Sequence, residues 1–376
     1  MQKLTQRRIE TFSKLKESVK VTPLVDLGDN GLIIPNSCRI LAKIEFDRGS
    51  HPTGSHYDRA FIHLIEDAEI HGIRTPSGKQ IPSISTETTN LVEISTGNAG
   101  AAFAYACREL GYSCTAILLG GLPPSRSNYL KELGANVIEA PRKDYMAGCK
   151  ELLGDLLRLR FDACEKRYVT VNHPFNPITT QAMAEIITEA TNQYGGAIDY
   201  FVGTVGNGST LLGPSKKFIE LHGGSVLVWE PFTSAMAYDL FYPGRFKQLF
   251  SVVPGFTDHE MHGAGGPGVP CPFRDQFVLD VNDGHISVPD QNNSIRLVVD
   301  SQQIDAYSEA LTQIGKKIPS VMGDLINWEG IQKALFDLGF PVGRTSAGSV
   351  ATALDHAHHV HNATFLVIFY DSIEKY

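Results

Sequence analysis

Three glycine-containing runs and one His-Tyr pair carry the residue types that can do chemistry in this sequence. Gly206-Asn207-Gly208-Ser209-Thr210 follows an apolar strand pattern and opens a helical one. Glycine allows close backbone approach, and successive amide N–H groups at a helix start attract an anion. Ser209 and Thr210 add hydroxyl donors. The run suits a phosphate, although a tight strand-to-helix turn has the same composition. Ser95-Thr96-Gly97-Asn98-Ala99-Gly100 sits in the same strand, turn and helix context. Its hydroxyls and N–H groups suit a carboxylate, and the Asn98 amide can donate to a phenolate oxygen. Taken alone, it reads first as an N-capping turn. In Gly343-Arg344-Thr345-Ser346-Ala347-Gly348, Ser346 can hydrogen-bond a ring nitrogen or cap the Ala-rich helix that follows. In the His56-Tyr57 pair, imidazole is the better general base and phenol a proton donor. Neighbours on a strand or loop point apart, so at most one of the two is expected to face a pocket.

The surrounding pattern alternates short apolar strands with helices. Strands are expected at 39–46, 91–94, 114–119, 136–138, 200–205, 226–229 and 364–370. Helices are expected at 58–71, 101–110, 127–133, 182–193, 211–221 and 349–357. This alternation predicts an α/β fold with parallel sheets and a ligand at the strands' carboxyl ends or between two domains. The stretch 232–322 is less regular, with a helix expected at 304–314.

Bulk properties narrow the function classes. The chain has 376 residues, 42% hydrophobic and 20% charged, enough for two compact domains with a sizeable core. Its net charge of -8 argues against nucleic acid as the main partner. The 6 cysteines form no Cys-x-x-Cys pair and read as buried free thiols of a reducing compartment. The N-terminus is polar and basic, and no run is long and apolar enough for a membrane span, so a cytoplasmic protein is expected. His356, His358, His359 and His361 read as a helix C-terminus rather than a zinc site. His259-Glu260-Met261-His262 lacks zinc-protease spacing, so no metal is expected.

In order and spacing these runs together resemble the fold-type II pyridoxal phosphate (PLP) enzymes, the cysteine synthase, cystathionine β-synthase and threonine synthase family. Pro52-Thr53-Gly54-Ser55-His56-Tyr57-Asp58-Arg59 resembles the family's Pro-Thr-Gly-Ser-Phe-Lys-Asp-Arg segment. Thr96 to Gly100 resembles its substrate-carboxylate loop, and Leu133-Gly134-Ala135-Asn136-Val137 resembles a further shared segment. Asn176-Pro177, Gly206 to Thr210, Glu230-Pro231, Ser346 to Ser349 and Asp371-Ser372 resemble its later motifs. His262-Gly263-Ala264-Gly265-Gly266 is similar to a glycine-rich loop near the cofactor ring.

The resemblance implies a two-domain, tryptophan synthase β-like architecture: parallel-rich sheets flanked by helices and a cleft between the domains. A smaller domain is expected at 50–170 and a larger cofactor-binding domain at 1–49 plus 171–376. It implies PLP as cofactor, a homodimer, and β-elimination or β-replacement on an amino acid. Gly206, Asn207, Gly208, Ser209 and Thr210 then bind the phosphate, Asn98 the phenolic oxygen and Ser346 the pyridine nitrogen. Ser95, Thr96 and Gly97 take the substrate carboxylate together with Asn98. The family's substrate-binding glutamine falls near Thr170.

The departure is Tyr57, which occupies the position where the family's lysine forms a Schiff base with PLP. A phenol cannot form that bond. Four readings follow. PLP is held noncovalently while His56 or Tyr57 moves protons; or the chain is a pseudoenzyme with a ligand-binding or regulatory role; or another lysine such as Lys43 reaches the cofactor; or the tyrosine is a substitution that traps a complex. The retained loops favour a ligand-binding protein.

Overall fold

The structure, a computed structural model, describes residues 3–74, 80–95, 97–141, 146–159, 165–204, 206–231, 244, 247–248, 286–287, 297–298 and 328–373. The chain divides into two compact units. One comprises Met1–Thr22, Glu45–Met183 and Glu374–Tyr376, the other Pro23–Ile44 and Ala184–Ile373.

The second unit is built on strands β1 (Leu24–Asp26) and β2 (Arg39–Ile44), while the first opens with helix α1 (Gln6–Ser18) and continues through α2 (Asp58–His71). A two-stranded antiparallel ribbon, β3 (Ile73–Arg74) and β4 (Gln80–Ile81), follows α2. Then come β5 (Thr89–Ser95), α3 (Asn98–Leu110), β6 (Ser113–Leu119), α4 (Pro124–Glu132), β7 (Asn136–Ala140), α5 (Ala147–Arg158) and β8 (Arg167–Val169). The four strands form a parallel sheet in the order β7-β6-β5-β8. Strand β6 is buried over six of its seven residues, as a parallel strand covered on both faces requires.

Next come α6 (Pro177–Tyr194), of which the residues from Ala184 belong to the second unit, and then, within that unit, β9 (Tyr200–Thr204), α7 (Ser209–His222), β10 (Ser225–Pro231), β11 (Ile286–Ser287), β12 (Leu297–Val298), α8 (Trp328–Asp337), α9 (Arg344–Ala357) and β13 (Thr364–Phe369). Its sheet runs β1-β2-β13-β9-β10-β11, with β12 also paired to β10. Only the β1–β2 pairing is antiparallel among these. Strand β13, Thr-Phe-Leu-Val-Ile-Phe, is buried throughout and forms the spine of this core.

Helix α2 has the expected bounds, opened by Asp58 and closed by Gly72 at φ 74. Other helices begin earlier than the sequence pattern predicts, among them α3 at Asn98 and α7 at Ser209. Helix α4 starts at Pro124 and α6 at Pro177, because proline's fixed φ suits a first helical position. The Asn176 side chain accepts the Ile178 amide at 3.1 Å and so caps α6. Helix α9 starts at Arg344, which takes Ser346 into its first turn. The helix expected at 304–314 and the His259 to Gly266 runs lie outside the described residues.

Candidate functional site

Tyr57 is buried at the cap position of α2, in a right-handed helical conformation. The turn before it is held by its own side chains. Thr53 donates its amide and hydroxyl to the Asp58 carboxylate at 2.9 and 2.8 Å, where the negative charge also suits the helix start. Gly54 has φ +64, and a Cβ there would stand 2.9 Å from the Phe46 carbonyl oxygen, so the turn demands glycine. Ser55 Oγ accepts the Tyr57 amide at 3.2 Å and donates to the Asn98 carbonyl at 3.0 Å. The Tyr57 turn is thereby tied to the first residue of α3.

The base of α2 rests on a buried ion pair. Glu45 accepts from Arg59 Nε at 2.8 Å, from Arg59 Nη2 at 3.0 Å and from the Thr22 hydroxyl at 2.7 Å. Burial disfavours the Glu45 charge, but the Arg59 guanidinium overrides it, with help from His51 and Thr22. The carboxyl is held down at about 2.

The sequence-based expectation that His56 and Tyr57 point apart does not hold. Residues 55–58 form a turn, with the Asp58 amide donating to the Ser55 carbonyl at 2.9 Å. This curls both rings to one side, with centroids 4.3 Å apart. A third ring, His173, meets Tyr57 edge-on at 5.5 Å and packs on Phe61 at 5.4 Å. His173 Nδ1 lies 2.7 Å from Glu93 Oε2. The other Glu93 oxygen accepts the Thr170 hydroxyl at 2.6 Å and the Asn172 amide at 2.7 Å. Both members of the pair are buried. Two imidazoles therefore pack against Tyr57, one of them backed by a carboxylate. Sequence reasoning did not single out Glu93 or His173. The available signal was an acidic residue inside the apolar strand Leu91-Val92-Glu93-Ile94, which needs a buried partner.

The Ser95 to Gly100 loop opens α3. Ser95 Oγ accepts the amides of Gly97 at 2.9 Å and Gly100 at 2.7 Å, so the hydroxyl fixes the turn and keeps its own proton to donate. Gly97 has φ +152, and a Cβ on it would stand 3.1 Å from Nη1 of Arg126, a buried guanidinium on α4. A cation thus lies against the loop expected to take a carboxylate. Thr96 lies outside the described residues. Thr170, placed near the glutamine position of the resembled family, is engaged with Glu93.

The other loops belong to the second unit. Gly208, at φ 91, caps the 14-residue helix α7 and offers it no capping side chain. Gly206, Asn207 and Thr210 are part-exposed, and Gly208 and Ser209 are buried. Asn207 Oδ1 accepts both the Ser209 amide at 3.0 Å and the Ser209 hydroxyl at 2.7 Å. Ser346, fully buried, accepts the Tyr370 amide at 3.0 Å, which aims its hydroxyl and leaves that proton to donate. Lys43 is also fully buried, and its Nζ lies 2.8 Å from both Glu189 Oε2 and Gln193 Oε1. Its ammonium serves this cluster, which accounts for the residue structurally. Among the described residues no three His, Cys, Asp or Glu side chains are grouped as a metal site. No helix of the described residues is long and apolar enough to cross a membrane.

Comparison with known proteins bears on these loops. A family profile described as "Pyridoxal-phosphate dependent enzyme" matches residues 15–293. Cysteine synthase 1 of Neurospora crassa is 30% identical over 206 residues, covering 54% of this chain and 50% of that protein. Cystathionine beta-synthase of Oryctolagus cuniculus is 26% identical over 264 residues, covering 69% of this chain and 43% of that protein. The chain thus spans about half the length of these curated relatives. Among solved structures, a hydrogen sulfide-producing enzyme from Fusobacterium nucleatum superposes with a TM-score of 0.69 at 21% identity, covering 96% of this chain and 98% of that one. That likeness establishes the two-domain α/β fold.

Proposed function

The chain belongs to the pyridoxal-phosphate dependent enzyme family, and on that premise we propose that it holds PLP without a lysine anchor and acts on an amino acid by β-elimination or β-replacement. The residues present fit a noncovalently held cofactor. The Ser346 hydroxyl, fixed by the Tyr370 amide, retains the proton that a pyridine nitrogen accepts. The glycine-capped start of α7 suits a phosphate. No amine stands at position 57.

In this proposal Gly206, Asn207, Gly208, Ser209 and Thr210 bind the phosphate, Ser346 the ring nitrogen and Asn98 the phenolic oxygen. Ser95, Thr96, Gly97 and Asn98 take the substrate carboxylate, with the charge of Arg126 beside them. Tyr57 and His56 do the proton work of the missing lysine. Bound PLP supplies an electron sink that eases bond breaking at an amino acid's α-carbon. The observation that carries the reading is the state of the Tyr57 turn. Its Thr53–Asp58 and Ser55–Asn98 bonds are formed, and two imidazoles pack against a buried phenol. The homodimeric state and cytoplasmic location belong to the same proposal.

Absorbance of the purified chain with added PLP tests it. A visible band that is lost on dialysis is expected. A Tyr57→Lys variant should keep the band through dialysis and fix the cofactor covalently on borohydride reduction. No response to PLP in either protein refutes the cofactor reading. One observation favours a second reading, a non-catalytic ligand-binding or regulatory protein: Asn207 already occupies both Ser209 donors, as a phosphate would. Uptake of PLP and turnover of an amino acid by the unmodified chain would exclude it.

A further inference from the structure

We propose that His173, oriented by Glu93, is the proton acceptor that makes Tyr57 a base, a role that rests on the PLP reading above. The geometry sets the direction of the transfer. Glu93 is filled by three donors: the Thr170 hydroxyl, the Asn172 amide and His173 Nδ1. A carboxylate is acceptor-only, so the neutral imidazole places its proton on Nδ1 and its lone pair on Nε2. The ring itself lies edge-on to Tyr57, at 84° with centroids 5.5 Å apart. Thr179 donates its hydroxyl to the His173 carbonyl at 2.8 Å and fixes the backbone. A base held in one tautomer by a buried carboxylate is the arrangement by which a hydroxyl side chain is activated in unrelated hydrolases.

The step balances as two proton transfers. The Tyr57 O–H gives its proton to His173 Nε2. The resulting phenolate accepts the proton from the substrate's α C–H bond, and that bond's electron pair remains on the substrate. The Glu93 carboxylate offsets the imidazolium charge, and the reverse transfers restore the resting state. His173 and Glu93 are positioning residues here, because they act through Tyr57. His56, its ring centroid 4.3 Å from that of the phenol, is the competing acceptor.

Two measurements on the full-length chain test the assignment. The first is nitrogen NMR of ring-labelled histidine without cofactor. His173 should show a protonated Nδ1 and a bare Nε2. Glu93→Gln, whose amide can donate to Nδ1, should move the proton to Nε2, and Glu93→Asp should restore the parent form. The second is solvent-deuterium exchange at the α-carbon of L-serine with PLP present, alongside PLP retention. His173→Gln should slow exchange about 100-fold or more while PLP retention is unchanged. A parent ring protonated on Nε2 overturns the assignment. So does an exchange rate in His173→Gln within about threefold of the parent, or no exchange in a PLP-loaded parent. Failure of the parent to take up PLP instead refutes the reading on which the assignment rests.

Discussion

Protonating Glu45 should loosen the turn that presents Tyr57. The carboxylate is fully buried and is bound by Arg59 and Thr22. Its folded-state value, about 2, lies below the ordinary 4.5. The stability it contributes is therefore complete above about pH 5 and lost as pH falls toward 2. At about 1.4 kcal/mol per pH unit, that depression corresponds to about 3 kcal/mol. Urea unfolding at pH 7, 5, 4 and 3, compared between the parent and Glu45→Gln, isolates this component from other carboxylates. The parent should lose stability over that range, and Glu45→Gln should lose about 2 kcal/mol less of it, the remainder of the linkage lying below pH 3. At pH 7 the variant should be about 3–5 kcal/mol less stable, because Arg59 remains buried without its counter-charge. Replacing both partners, Glu45→Gln with Arg59→Met, should recover much of that loss. Identical pH profiles for parent and variant would refute the reasoning, because Glu45 would then contribute no proton linkage.

Gly54→Ala, forced to φ +64 with its Cβ 2.9 Å from the Phe46 oxygen, should cost about 1–3 kcal/mol in a urea midpoint comparison. Gly154→Ala, inside α5 with its nearest neighbour the Arg158 tip at 3.7 Å, should instead gain about 0.5–1 kcal/mol. Lys43→Met should cost about 3 kcal/mol in stability by leaving Glu189 without its ammonium, while PLP uptake at saturating cofactor stays within twofold of the parent. Ser346→Ala should cost about 1–3 kcal/mol by stranding the Tyr370 amide, and should also weaken PLP retention on dialysis.

The elements that position the candidate site were largely legible along the chain. Strands such as β6 and β13 are short apolar runs bounded by turn residues, and burial on both faces leaves them little other composition to adopt. Helix α2 carries an acid at its start and glycine at its end, so both bounds could be read. The missed starts of α4 and α6 have one cause. Pro124 and Pro177 punctuate the sequence like breaks, whereas at a first helical position proline loses no hydrogen bond.

The Gly206 to Thr210, Ser95 to Gly100 and Ser346 runs were visible because an anion-attracting turn is local: a few consecutive residues carry its glycines and hydroxyls. The absence of an amine at position 57 was equally plain, since side-chain chemistry needs no fold to be read. What surrounds Tyr57 was not legible. Whether His56 lies beside it depended on a four-residue turn whose φ values, not its composition, bring the rings together. Glu93 and His173 are separated by 80 positions and meet because β5 pairs with β8, from which the chain leads directly to His173. Ser209 carried two donors in the sequence, and folding gave both to Asn207. Residue type sets which bonds and protons are available. Only the packed chain, by burying a group and choosing its partner, sets where those protons go.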